Sequence, residues 1–126
     1  IDWLKTRPLF LHGPGWLCVH AGLHPTAGVA QTKRQVALTV RRWPDDSDPE
    51  NPFWWQCYQG EALIIYGHDA RRGLVDRRPK TLGLDTGCVY GGRLTGYLLE
   101  EDALLSVPAA AVYCPVSRPA TAQPSA

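Results

Sequence analysis

Apolar residues along this chain come in short runs of three or four, broken by glycine- and proline-rich turns, with one stretch at helical spacing. Runs at 9–11 and 16–19 flank His12-Gly13-Pro14-Gly15, a strong turn signal, and predict two strands joined in a hairpin. The second strand would deliver His20 to its C-terminal end. Thr32 followed three positions later by Gln35 predicts a capping box. Val36, Val40 and Trp43 then recur at helical spacing until Pro44, with Arg34, Arg41 and Arg42 outside the stripe. After a polar loop at 45–51, Asn51 as N-cap, Pro52 as first residue and Gly60 as terminator predict a short aromatic helix docked by Phe53, Trp54, Trp55 and Tyr58.

Leu63-Ile64-Ile65-Tyr66 is a continuous apolar run ending in Gly67-His68, the pattern of a buried strand that opens into a loop. Strands are predicted near 81–85, 94–100 and 103–107, the last two joined through Glu101-Asp102, as a β-meander. The opening segment, with Trp3 and Leu4 before Pro8, fits the last turns of a helix that starts upstream. Residues 118–126 are rich in proline, alanine and serine and lack an apolar anchor, so a disordered tail is expected after a structured region at 1–117. The predicted class is α/β, with α and β elements mixed.

At 126 residues and 44% hydrophobic content the chain has material for one core and little more. Thirteen basic residues against twelve acidic leave no polybasic surface, so neither nucleic acid nor anionic lipid is implied as a partner. No apolar run approaches membrane-spanning length, so no membrane association is expected. The chain opens on Ile1 and contains no methionine, which predicts further sequence upstream, where any targeting signal would lie. Four cysteines, none in a C-x-x-C pair, read as free thiols in a reducing, cytoplasmic setting, with a disulfide left open.

Two histidines sit at predicted strand ends beside small residues, in Val19-His20-Ala21-Gly22-Leu23 and Tyr66-Gly67-His68-Asp69-Ala70. Small neighbours let an ion and a substrate approach the backbone, and imidazole nitrogen suits zinc, iron and manganese. By residue type alone, structural hydrogen bonding and metal ligation both stand. A third feature, Leu84-Asp85-Thr86-Gly87-Cys88-Val89-Tyr90-Gly91-Gly92-Arg93-Leu94-Thr95, is either a wide hairpin loop or a phosphate-facing loop offering the Tyr90 hydroxyl and backbone donors.

In that order, these three motifs resemble the second half of the phosphoprotein-phosphatase-like branch of the calcineurin-like metallophosphoesterases, with the bacterial symmetrical dinucleoside-tetraphosphatase-like enzymes the nearest pattern. The resemblance implies the C-terminal half of a β-sandwich flanked by helices, ending in a β-meander. It implies a centre of two divalent ions (manganese, zinc or iron), with His20 and His68 both ligating one of them. The other ligands and the general acid would come from Gly-Asp-x-His-Gly, Gly-Asp-x-x-Asp-Arg-Gly and Gly-Asn-His motifs. None of these occurs here: there is no Gly-Asp dipeptide, and the one asparagine, Asn51, precedes proline. No catalytic general acid is therefore assigned, and the chain alone is expected to be inactive without the N-terminal half of the domain.

By the same resemblance Tyr90 would flank a substrate phosphate, and Asp85 or Asp69 would orient a metal-bound imidazole. Arg71, Arg72 and Arg93 would meet outer phosphates, since guanidinium matches phosphate geometry. His12 is expected at the surface, as is His24, which is also a minor candidate for substrate contact. The implied activity is metal-dependent phosphoester hydrolysis on a nucleotide polyphosphate or a phosphoprotein. The alternative is a binding module that keeps the fold without a complete metal centre.

Overall fold

The computed structural model describes residues 1–116 and divides the chain into two units, 1–86 and 87–126. The predicted tail at 118–126 lies outside the described residues. The first unit opens with a single helical turn, α1 (Asp2–Lys5), and the predicted hairpin follows as β1 (Phe10–Gly13) and β2 (Trp16–Val19). The remaining elements of this unit are α2 (Arg34–Thr39), β3 (Leu63–Tyr66), β4 (Val75–Arg77) and β5 (Thr81–Gly83).

The strands form one five-stranded sheet in the order β1-β2-β3-β5-β4. Its centre is parallel, β2 beside β3 beside β5, and its two edge strands run antiparallel to their neighbours. Register aligns Leu17 with Ile64 and Ile64 with Thr81, all buried on one face. Cys18, Leu63 and Ile65 alternate with them and stay half-buried. The period of two thus sorts β2 and β3 into a packed face and a more open one, as pleating requires.

Against the packed face lies a core of Leu17, Val19, Ala21, Leu23, Ala37, Val40, Trp54, Ile64 and Tyr66. Trp54 is its centre at 1% exposure, with its ring edge-on to Tyr66 at 4.9 Å. Gly22 leaves the space that Trp54 occupies: a β-carbon there would stand 2.5 Å from the indole Cε2 and 2.7 Å from a Val40 methyl. A glycine two residues after His20 is therefore required by packing, apart from any chemistry.

Two predicted helices differ from those observed. The Thr32–Gln35 capping box does not form, because the Thr32 hydroxyl donates to the Gly28 carbonyl and accepts from the His24 amide, while Gln35 turns to Thr39. The helix ends at Thr39 and not before Pro44. Beyond it the backbone extends and pairs with 52–54 through Trp54 N–H to Arg41 C=O and Trp43 N–H to Pro52 C=O, with Asp46 accepting from the Arg41 and Arg42 amides. The aromatic helix is reduced to a 3₁₀ turn, Trp54–Gln56, preceded by Phe53, whose amide donates to Gln56 Oε1. In both places a long-range backbone pairing displaces a local helical signal. β4, which the sequence pattern missed, is a three-residue edge strand.

The predicted meander is divided. Its first strand, β5, joins the large sheet, and its last two form a hairpin in the second unit, β6 (Arg93–Leu98) and β7 (Ala103–Pro108). The loop before β6 is a 3₁₀ turn, Cys88–Tyr90, between Gly87 and Gly91, both with left-handed backbone. Gly91 is doubly constrained, since a β-carbon would also stand 2.6 Å from Val112. All four cysteines are free thiols. Among the described residues no helix is long and apolar enough to cross a membrane.

Gly22→Ala is expected to destabilise the chain by about 1–3 kcal/mol through overpacking against Trp54. Gly67→Ala, whose β-carbon would meet Asp85 and the His20 carbonyl at an ordinary 3.7 Å, is expected to lose less than about 1 kcal/mol. Urea denaturation followed by circular dichroism compares the two.

Candidate metal centre

The three parallel strands end on the same edge of the sheet. His20 follows β2, Gly67-His68 follows β3, and Leu84-Asp85 follows β5. In open α/β sheets this carboxyl edge is where ligands bind, because strand ends diverge into loops there and leave backbone groups unpaired. Beyond β2 and β3 one more ladder bond forms, the Gly67 amide donating to the His20 carbonyl at 2.9 Å. It ties the two histidine-bearing loops together before any side chain is considered.

His20 Nε2 and His68 Nδ1 stand 3.2 Å apart, with ring planes inclined at 63°. Two nitrogens bound to one ion at about 2.1 Å each would be separated by about 3.0 to 3.4 Å for angles between square and tetrahedral. The pair fits a shared ion. Without one, the same spacing is an N–H···N hydrogen bond in which a single ring supplies the proton. Ligation through His68 Nδ1 leaves the proton on Nε2, a buried atom with no hydrogen bond of ordinary geometry among the described residues. The Thr39 backbone favours the protonated ring.

Burial is the main cause that lowers the His68 pKa, reinforced by the Arg41 guanidinium and by His20, while the Thr39 backbone and Asp69 oppose it. Its imidazole is thus biased toward the neutral form that can donate a lone pair. His68 also has a φ of 73°, in the left-handed region that side chains rarely adopt. Such strain persists where the surroundings hold it, and here the loop is held at both ends: by Gly67 to His20, and by Asp69 to two arginines.

Asp69, with only 10% of its side chain exposed, lies 3.7 Å from both Arg41 Nε and Arg72 Nε. Arg72 and Arg42 also lie over the Phe53 ring, at 5.0 and 4.5 Å, and Phe53 stacks on Trp55 at 5.2 Å. The two residues assigned by sequence to an imidazole-orienting and a phosphate-facing role, Asp69 and Arg72, therefore meet each other. Arg71 is exposed on the neighbouring 3₁₀ turn, Ala70–Arg72. The β-carbon of Asp85 lies against Gly67, at the same sheet edge as the histidines. Among the described residues no group of three or more histidine, cysteine, aspartate or glutamate side chains is arranged to hold a metal, so this edge presents the histidine pair without a third donor.

Tyr90 and Arg93 belong to the second unit. Tyr90 is 44% exposed, and Arg93 is engaged across the hairpin by Ser106, with Nε donating to Oγ at 2.8 Å. Arg41 is a contributor that the sequence pattern did not single out. Arg41 carried only the signal of an arginine outside a helical stripe, and its partner Asp69 is 28 positions away.

No family model matches the chain. Over 118 residues it is 30% identical to the bis(5'-nucleosyl)-tetraphosphatase PrpE [asymmetrical] of Bacillus subtilis (strain 168), covering 86% of this chain and 47% of that protein. The PrpE of Bacillus velezensis is 32% identical over 120 residues, covering 86% and 46%. A crystal structure assigned as a candidate diadenosine tetraphosphatase superposes with a TM-score of 0.78 at 30% identity, covering 85% of this chain and 53% of that one. The chain is thus similar in sequence and fold to dinucleoside tetraphosphatases, and it spans about half the length of the relatives it matches. The names of the two PrpE relatives carry the designation asymmetrical, whereas the motif pattern resembled the symmetrical group.

Three outcomes test the local geometry in metal-free protein. The His68 ring should titrate below the ordinary value near 6.5, and His20→Ala should raise its midpoint, as followed by imidazole proton NMR. Because the unfolded chain takes up that proton first, stability should be full above about pH 6.5 and fall as the pH drops below it. His68→Gly should be more stable than His68→Ala by about 1 kcal/mol in urea melts, since only alanine carries the cost of positive φ.

Proposed function

We propose that this chain carries part of the metal site of a metal-dependent phosphoric-ester hydrolase acting on dinucleoside polyphosphates, with His20 and His68 ligating one ion of a two-metal centre. The observation that carries this reading is the 3.2 Å approach of His20 Nε2 to His68 Nδ1 at the ends of adjacent parallel strands. The names of the relatives favour a nucleotide polyphosphate over a phosphoprotein. Manganese, zinc and iron all suit imidazole donors.

Divalent ions in such a site polarise phosphoryl oxygens and lower the pKa of a bound water. This chain's residues supply the framework for that chemistry. His20 Nε2 and His68 Nδ1 face each other at 3.2 Å, and the Gly67–His20 backbone bond ties together the two loops that carry them. Asp69 offsets the positive charge that Arg41 brings near His68. Arg71, Arg72, Arg93 and Tyr90 are the candidates to meet phosphate oxygens, and Asp85 to orient an imidazole. No group here is assigned as general acid. On this reading the remaining ligands, and a second sheet over the half-buried face of β2 and β3 to complete a β-sandwich, lie in the part of the relatives that this chain does not span.

A Zn²⁺ titration followed by imidazole ¹⁵N shifts should move His20 Nε2 and His68 Nδ1 together and leave His12 in place. His20→Ala or His68→Ala should weaken binding by at least about tenfold, the scale on which even an outer-shell partner matters. In a longer protein that contains this chain and hydrolyses diadenosine tetraphosphate, either substitution should nearly abolish turnover, while the 126-residue chain alone should show negligible turnover. Unchanged turnover in both variants would sink the metal assignment, and an absence of Zn²⁺ shifts would favour the binding-module alternative.

A further inference from the structure

Four residues beyond His20, the same loop opens into a cleft of about 520 Å³ walled by His24, Gln31, Lys33, Val36, Trp43 and Pro44. That volume lies within the range of small-ligand sites. Its walls combine the indole of Trp43, the imidazole of His24 and the ammonium of Lys33, with no carboxylate among the lining residues. The His24 and Trp43 ring centroids are 4.5 Å apart at 59°, so the two rings meet as a wedge.

The loop holds His24 in one orientation and its neutral ring in one tautomer. The Ala27 amide donates to His24 Nδ1 at 3.0 Å, which leaves the proton of the neutral ring on Nε2 as a donor. The His24 amide is in turn fixed by the Thr32 hydroxyl, which also donates to the Gly28 carbonyl. A flat aromatic wall beside a cation and an N–H donor is the chemistry that recognises a base joined to a phosphate: every base has a π-face to stack, and Lys33 and His24 present positive hydrogen-bonding potential to an anion.

We propose that this cleft is a nucleoside-phosphate subsite that holds one nucleotide end of the substrate, with Trp43 against the base and Lys33 and His24 Nε2–H on a phosphate. The proposal rests for its ligand class on the dinucleoside polyphosphate reading above. Four residues of chain span at most about 14 Å, so His24 stays within that distance of His20 along the backbone. A ligand whose phosphates lie at the histidine pair therefore has a nucleoside end within reach of the cleft.

The probe is AMP titrated into the 126-residue chain in EDTA, read by the indole ¹⁵N–¹H signals of the five tryptophans and by calorimetry. AMP should shift the Trp43 indole and the Ala27 amide. Lys33→Gln and Trp43→Ala should each weaken AMP by about tenfold, while Trp43→Phe, which keeps a stacking ring, should stay within about threefold of the parent. Ribose 5-phosphate, which lacks the base, should bind about tenfold more weakly than AMP. His12→Ala serves as the surface control. The proposal is overturned if AMP leaves Trp43 unmoved, if Lys33→Gln and Trp43→Ala bind AMP as tightly as the parent, or if ribose 5-phosphate binds as well as AMP. Because EDTA removes metal from the measurement, loss of the Zn²⁺ response with AMP binding intact would count against the histidine pair alone. The reverse result would count against the cleft alone.

Discussion

One backbone hydrogen bond, from the Gly67 amide to the His20 carbonyl at 2.9 Å, continues the β2–β3 ladder past the ends of both strands. Everything at the carboxyl edge depends on it. Parallel pairing sets Trp16 opposite Leu63 and Cys18 opposite Ile65, and the extra bond carries that register one step further, into the two loops. Two histidines 48 positions apart then approach to 3.2 Å without either loop having to find the other by side-chain contact alone. The register is in turn specified by burial, since a one-residue slip would turn Leu17, Val19, Ile64 and Tyr66 away from the core.

The same edge is braced from below and from the side. Below, Trp54 fills the space that Gly22 leaves open and packs edge-on against Tyr66, so the loop after β2 and the last residue of β3 share one aromatic neighbour. To the side, Asp69 draws in Arg41 and Arg72, and Arg72 and Arg42 lie over Phe53. These ion pairs are partly exposed, so their worth lies more in fixing the His68 loop than in net stability. A left-handed φ at a histidine is tolerable only in a loop restrained in this way.

Much of the sheet was legible in the chain because its signals are local. Continuous apolar runs bounded by glycine and proline located β2 and β3, and the turn at Pro14-Gly15 located the hairpin. The helical signals failed where residues outside the helix offered a better partner. Thr32 had a local use as a cap, yet its hydroxyl bridges Gly28 and His24. Trp43 had helical spacing, yet its amide bonds to Pro52. β4 was missed because Val75-Asp76-Arg77 is too short and too polar to stand out, and it is a strand only because β5 lies beside it.

The sequence by itself determined the candidate chemistry: which residues are histidines, that each follows an apolar run beside small neighbours, and that the order of motifs resembles a metallophosphoesterase half. Periodicity and composition carry that much because they act over a few residues at a time. Only the tertiary structure decided that His20 Nε2 and His68 Nδ1 approach to 3.2 Å, that Asp69 is shared by Arg41 and Arg72, and that His24, Lys33 and Trp43 line one cleft. Each of those facts joins positions far apart in the chain or fixes a side-chain direction, and both are set by strand register and packing, which no local pattern encodes.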